Sequence, residues 1–147
     1  MRAKILNASA GSGKTYQLAY KYVRDVIDQP GLYRHILAVT FTNKATEEMK
    51  SRILKEIHRL ASGGASPYLE NLCRELSLDE RSVRKRAAEV RSKILHDYSR
   101  FTVLTIDTFF QRILRAFIKE LGIDLNYNVE IETASVLSKG ADTLIEQ

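Results

Sequence analysis

Apolar positions in this 147-residue chain recur at two spacings, and the spacing changes segment by segment. Lys4 to Leu6 reads as a short strand leading into a small, glycine-containing stretch, Asn7 to Gly13. Leu18, Ala19, Tyr22, Val23, Val26 and Ile27 then recur at helical spacing on one face, and Pro30-Gly31 ends that helix. Ile36 to Thr40 is a short continuous apolar run, the pattern of a strand buried on both faces in a parallel sheet. A polar corner at Thr42-Asn43 opens a second helix, with Met49, Ile53, Ile57 and Leu60 inward and Gly63-Gly64 as its stop.

Residues 65–100 read as a helical insertion. Ser66-Pro67 has the form of a cap followed by proline at a first helical position. Ser77 with Glu80 has the form of a capping box. Val83, Ala87, Val90 and Ile94 share one face of the next helix; Arg84, Lys85, Arg91 and Lys93 lie on the other and read as a solvated face. Phe101 to Ile106 is another strand candidate. A long amphipathic helix follows, with Phe109, Phe110, Ile113, Leu114, Phe117, Ile118 and Leu121 inward and Gly122 as its stop. Val129 to Ile131 suggests a short strand, and Ala134 to Ile145 a helix. Strand alternating with helix is the signature of a parallel α/β sheet.

Composition narrows this picture only a little. The length fits one domain, and no run of about 18 uncharged apolar residues exists to span a membrane. The apolar start, Ile5-Leu6, is too short for a secretory signal. Cys73 is the only cysteine, so no internal disulfide can form; it reads as a small packing residue in a cytoplasmic protein. His35, His58 and His96 are scattered, with no metal-ligand spacing. A net charge of +5 agrees with a nucleic-acid partner without establishing one.

The strongest chemical signal is Ala8-Ser9-Ala10-Gly11-Ser12-Gly13-Lys14-Thr15. A phosphate-binding loop has glycine, four residues, then Gly-Lys-Ser/Thr. Here Ala8 takes the first position, a one-methyl departure, while Gly11 and Gly13 remain. Polyphosphate oxygens need many donors at short range, and small residues let main-chain N–H groups wrap around them. The following helix directs its positive end at the anion. Lys14 is placed for the β- and γ-phosphates of ATP, and the Thr15 hydroxyl for Mg²⁺.

Two further motifs follow candidate strands. In Thr40-Phe41-Thr42-Asn43-Lys44, an aromatic ring at a strand's carboxyl end offers a base a stacking surface. Thr42, Asn43 and Lys44 offer hydroxyl, amide and charge to phosphates. The same residues also read as a plain helix start with Asn43 as its cap. In Thr105-Ile106-Asp107-Thr108-Phe109, the polar residues lie at the next strand's carboxyl end, and Asp107 reads equally as the cap of the long helix.

Together, and in this order, the three motifs resemble superfamily 1 DNA helicases of the UvrD, Rep and RecB/AddA kind. In that family a T-F-T-N-x-A-x-x-E-M segment and a T-[IV]-[HD]-[ST]-F segment touch single-stranded DNA. The match covers most of residues 3–120, and the opening Asn7 to Gly11 is closer to the RecB/AddA branch. The resemblance implies a P-loop NTPase (RecA-like) fold: an α/β three-layer sandwich around a parallel sheet, incomplete here and carrying the helical insertion. It implies ATP and Mg²⁺ as cofactors, with Ala8 to Thr15 and Tyr16 around the nucleotide. Phe41, Thr42, Asn43, Lys44, Thr105, Asp107 and Thr108 would line the DNA strand.

The family's acidic D-E-x-Q-D segment and second motor domain do not occur in these residues, and its upstream adenine-reading glutamine has no room. Tyr16 is placed to stack on adenine instead. The expectation is therefore the N-terminal part of a motor domain, with residues 126–147 leading towards a helical subdomain. The remainder of the helicase chain would be its partner, and the piece alone would bind nucleotide but hardly hydrolyse it. A complete role is repair or recombination, with an exonuclease attached or not. Two alternatives stay open: a self-contained P-loop kinase or NTPase, with Asp107 as the metal partner to test, and a non-catalytic nucleotide-sensing module.

Overall fold

The computed structural model describes residues 13–121. The expected strands at Lys4 to Leu6 and Val129 to Ile131, the stop at Gly122 and the helix at Ala134 to Ile145 lie outside the described residues, as do Ala8 to Ser12. Within the described part, helices α1 (Lys14–Asp28), α2 (Asn43–Ala61), α3 (Leu69–Leu76), α4 (Glu80–His96) and α5 (Ile106–Glu120) accompany two strands, β1 (Ala38–Thr40) and β2 (Val103–Thr105). The strands pair in parallel, with Ala38 opposite Val103 and Thr40 opposite Thr105. The chain divides into two compact units, Met1–Phe109 and Phe110–Gln147.

Helix α2 holds the first unit together. Its apolar positions, Met49, Ile53, Ile57 and Leu60, are all buried, as the three- and four-residue spacing requires. Removing each of these side chains from water stabilises the fold by roughly 1.5–3 kcal/mol. They pack against α1 and α4 and reach β1 and β2. Helix α1 contributes Ala19, Tyr22, Val23, Val26 and Ile27, and α4 contributes Val83, Ala87, Val90 and Ile94 to the same core. The helices over residues 65–100 are thus integral to this core rather than appended to it. Cys73 packs at its margin, and burial raises its thiol pKa.

Polar tethers fix the helix ends. The buried Tyr33 hydroxyl donates to the Lys93 carbonyl at 3.2 Å, and Arg34 bridges to Asp97 at 3.1 Å. These bonds join the turn after α1 to the end of α4. Glu56 on α2 is buried but satisfied: Ser66 Oγ donates to it at 2.8 Å and Arg59 Nη1 at 2.7 Å. Gly63 takes a left-handed φ of 79° just past α2, which favours glycine there, and Gly64 N closes the turn on the Arg59 carbonyl at 2.9 Å.

Several local expectations are corrected. Leu18 is 45% exposed and does not join the α1 core face. The strand run is shorter than Ile36 to Thr40 and is not buried on both faces: Val39 is exposed and, with Leu18, Leu37 and Tyr22, faces a cavity of about 330 Å³. Among the described residues β1 has a single partner strand, β2, and the cavity lies between Val39 and the Leu18–Tyr22 side of α1.

The start of α3 is set by a turn, in which Ser66 Oγ accepts from Tyr68 N at 3.2 Å, and the helix proper begins at Leu69. Ser77 does not cap α4; it closes α3 in the left-handed region, with φ 52°, and Asp79 takes the N-cap position of α4. None of the apolar residues of α5 is buried.

Arg84 is also not simply solvated. Its Nη1 donates to the carbonyls of Leu60 and Gly64, both at 3.2 Å, and its Nε to Glu80 at 2.7 Å. It clasps the open carbonyl end of α2 onto α4. Arg84→Ala is expected to lower unfolding free energy by about 1–2 kcal/mol. The exposed neighbour change Arg81→Ala should stay within about 0.5 kcal/mol. Chemical denaturation followed by circular dichroism reads both, and equal effects would show that Arg84 holds nothing in place.

Candidate functional site

Helix α1 begins immediately after Gly13, whose φ of 76° puts it in the left-handed region. A side chain at this position would be strained, so the glycine is what lets the chain turn straight into the helix. The first-turn amide of Gln17 bonds back to the Gly13 carbonyl at 2.9 Å, while the earlier amides of α1 are the ones every helix leaves unpaired. Lys14 is exposed and Thr15 half-buried beside that positive helix end.

A cavity of about 600 Å³ opens there, lined by Gly13, Lys14, Thr15 and Tyr16, by Thr40 and Phe41 from the end of β1, and by Glu48 and Arg52 from α2. Residues from three separate elements therefore converge on one space. Arg52 was not legible as a site residue from the motifs. It lies four residues beyond Glu48 and pairs with that carboxylate at 3.3 Å, while its buried Nε has no hydrogen-bond partner among the described residues. An unpaired buried donor is costly, on the order of 1–3 kcal/mol. The helical periodicity of Ala45, Glu48, Met49 and Arg52, which shares this wall, was the available signal.

The second motif sits at the carboxyl end of β1. Phe41 is 83% exposed, so its ring is not a core residue. Asn43 and Lys44 are exposed in the first turn of α2. The cap of that helix is Thr42 and not Asn43: Thr42 Oγ1 accepts from Ala45 N at 3.1 Å. Behind the loop, Thr40 Oγ1 and the buried Thr46 Oγ1 lie 2.5 Å apart, and both reach the Thr42 carbonyl. Thr46 carried no motif signal. Its hydroxyl stiffens the loop that presents Phe41.

The third motif sits beside the second because the parallel register sets Thr105 against Thr40. Thr105 is buried, and its Oγ1 accepts from Thr108 N at 3.2 Å and meets Thr108 Oγ1 at 2.8 Å. Thr105 is therefore the group that closes the first turn of α5. Asp107 is exposed in that turn and favourably placed near the helix dipole, but it is not the cap. The exposed Phe41-Thr42 loop and the exposed first residues of α5, Ile106 and Asp107, thus lie at adjacent strand ends, where open parallel sheets bind ligands. Tyr16 is half-occupied by packing: its ring meets the Tyr68 ring edge-on at 5.0 Å. Among the described residues no group of three or more His, Cys, Asp and Glu is placed to hold a metal ion.

The arrangement offers an anion a helix N-terminus, a lysine and a second cation, with aromatic rings at two edges of the same cavity. The family described as UvrD/REP helicase N-terminal domain matches residues 2–146. The RecBCD enzyme subunit RecB of Escherichia coli is 30% identical over 128 residues, covering 82% of this chain and 11% of that protein. An ATP-dependent helicase/nuclease subunit from Clostridium novyi is 30% identical over 138 residues, covering 92% of this chain and 10% of its own length. The corresponding protein of Acetivibrio thermocellus is 27% identical over 94% of this chain. The chain spans about a tenth of the length of these relatives. No solved structure matches it.

The cap assignment has a direct check. Thr42→Ala should cost about 1 kcal/mol of stability, because the α2 amide loses its acceptor. Asn43→Ala should change stability by only a few tenths. Thermal melts of the two variants distinguish the residues, and the reverse order of effects would reassign the cap.

Proposed function

Because this chain belongs to the UvrD/REP helicase N-terminal domain family, we propose that it is the nucleotide-binding portion of an ATP-dependent DNA helicase that moves along single-stranded DNA. The observation that carries the reading is the cavity shared by the Gly13–Lys14–Thr15 turn, Arg52 and Phe41. The relatives named as ATP-dependent helicase/nuclease subunits support the same reading, as does the alternation of the sequence, which fits a P-loop NTPase domain.

In this reading Ala8 to Gly13 wrap main-chain amides around a triphosphate, and Ala8 to Ser12 of that stretch lie outside the described residues. The donor set fits the ligand. The N-terminus of α1, the Lys14 ammonium and the Arg52 guanidinium all favour negative charge. Tyr16 lies one residue beyond Thr15, at the cavity edge where the base would emerge. The Thr15 hydroxyl is the ligand this chain supplies to Mg²⁺, which, when bound, neutralises charge on the phosphate oxygens.

For the nucleic acid, Phe41 stacks on a base, and Thr42, Asn43, Lys44 and Thr108 face its phosphates. Thr105 holds the first turn of α5 in place, and Asp107 lies exposed in that turn beside the nucleic-acid strand's path. The bond between Thr40, Thr46 and the Thr42 carbonyl connects the wall of the nucleotide cavity to the Phe41 loop. Turnover by these residues alone is expected to be barely measurable. The family's acidic pair and second-domain arginine are not among them, and loss of such an arginine alone typically lowers phosphoryl transfer about 10³- to 10⁵-fold.

Lys14→Ala should weaken nucleotide binding roughly 10- to 100-fold, the worth of one charge-assisted hydrogen bond, with an unchanged melt. Fluorescent-nucleotide titration reads it, and unaltered affinity would sink the phosphate-site assignment. Phe41→Ala in the full-length protein should weaken single-stranded DNA binding by about 1–3 kcal/mol at fixed salt. Equal affinity of variant and parent would remove the ring from the DNA path.

A further inference from the structure

Tyr68 lies in the connection between α2 and α3, far in sequence from the phosphate-binding turn, and is 1% exposed. It nonetheless touches that turn. Its ring meets Tyr16 edge-on, with centroids 5.0 Å apart and planes at 75°, and meets Tyr20 one turn along α1 at 5.2 Å. Its hydroxyl donates to the Tyr16 carbonyl at 3.3 Å. Burial pushes the Tyr68 hydroxyl pKa up to about 12, so it stays protonated and remains a donor at neutral pH.

Tyr68 is itself held. Its amide donates to Ser66 Oγ at 3.2 Å, and that hydroxyl donates to Glu56 at 2.8 Å. The chain of contacts runs from the buried carboxylate of α2, through the connection, to the first turn of α1. Tyr16, by contrast, is 38% exposed and lines the cavity that holds Lys14 and Thr15. One side of its ring is packed and the rest is open. An unbraced tyrosine on a helix surface samples several rotamers, and ordering it on binding carries an entropic cost. The brace removes that cost beforehand.

We propose that Tyr68 is a positioning residue for base recognition. It fixes the Tyr16 ring as a preset platform for the planar nucleobase of a nucleoside triphosphate, so that the α2–α3 connection contributes to nucleotide selectivity without touching the ligand. This rests on the reading of the cavity as a nucleotide site. Lys14 and the helix end act on phosphates, which every polyphosphate carries. The braced ring acts only on a ligand with a base.

The experiment compares affinities of the 147-residue chain for ATP and for inorganic tripolyphosphate, in parent, Tyr68→Leu, Tyr68→Phe and Tyr16→Ala proteins. Tyr68→Leu should weaken ATP binding about 2- to 10-fold, the range of one aromatic pair, and leave tripolyphosphate within about twofold. Tyr16→Ala should reproduce that selective loss, and Tyr68→Phe should give a smaller one. Equal losses for both ligands, or none for either, would make Tyr68 a purely structural residue and overturn the proposal. Should Tyr68→Leu fail to fold by circular dichroism, Tyr68→Phe decides, and an unchanged ATP-to-tripolyphosphate ratio in it counts against the proposal. A parent that binds neither ligand overturns the nucleotide reading together with this inference. Binding of both that depends on Lys14 but is insensitive to Tyr68 overturns this inference alone.

Discussion

The first unit depends on the burial of one helix stripe. Met49, Ile53, Ile57 and Leu60 of α2 are enclosed by α1, α4 and the two strands, so a single helix fixes four other elements at once. Each chemical feature is hung from it. The N-terminal end of α2 carries Asn43 and Lys44 and is capped by Thr42; its middle carries Glu48 and Arg52; its far end carries Glu56, which anchors the connection that reaches back to Tyr16. A charged or truncated residue in the stripe would therefore displace both walls of the cavity together.

A short parallel pairing does the rest. Matching Thr40 with Thr105 aligns two strand ends, and each strand then turns directly into a helix through a threonine hydroxyl. Polar side chains placed there serve twice. Thr42 and Thr105 satisfy amides that the helices leave open, and the same bonds hold the exposed Phe41-Thr42 loop and the exposed first turn of α5 at fixed positions. The competition between a capping role and a binding role for these residues is thus resolved residue by residue: threonine caps, while Phe41, Asn43, Lys44 and Asp107 remain outward.

Periodicity made the helices legible. The buried positions of α1, α2 and α4 are those at three- and four-residue spacing, apart from Leu18, because local backbone geometry alone sets which residues share a face. The glycine before Lys14 was legible for the same reason: only a residue free of a Cβ takes φ 76° without strain. What was not legible depended on distant partners. Nothing near Tyr68 announces a contact with Tyr16, and Arg84 shows itself as a clasp only once the end of α2 lies beside it. The apolar run before Thr40 promised two covered faces, but coverage is decided by neighbouring layers that a local pattern does not contain. Ser77 and Asp79 both suit a helix start, and the left-handed turn at Ser77 left that place to Asp79.

The pairing of β1 with β2 has a kinetic side. Ala38 and Val103 are partners across the whole of α2, α3 and α4, and the bonds that tie α1 and the turn after it to α4, Arg86 to the Ile27 carbonyl and Tyr33 to the Lys93 carbonyl, span α2 and α3 as well, so sheet and helical core both close long loops. Loop closure must be met before such a pairing is rewarded, which makes non-local contacts the slow part of assembly. The core and the strand ends therefore depend on the same long closures. A newly made chain would gain its sealed interior and its ligand-ready surface through the same slow closures, whose rate is set by topology rather than by any residue that touches the ligand.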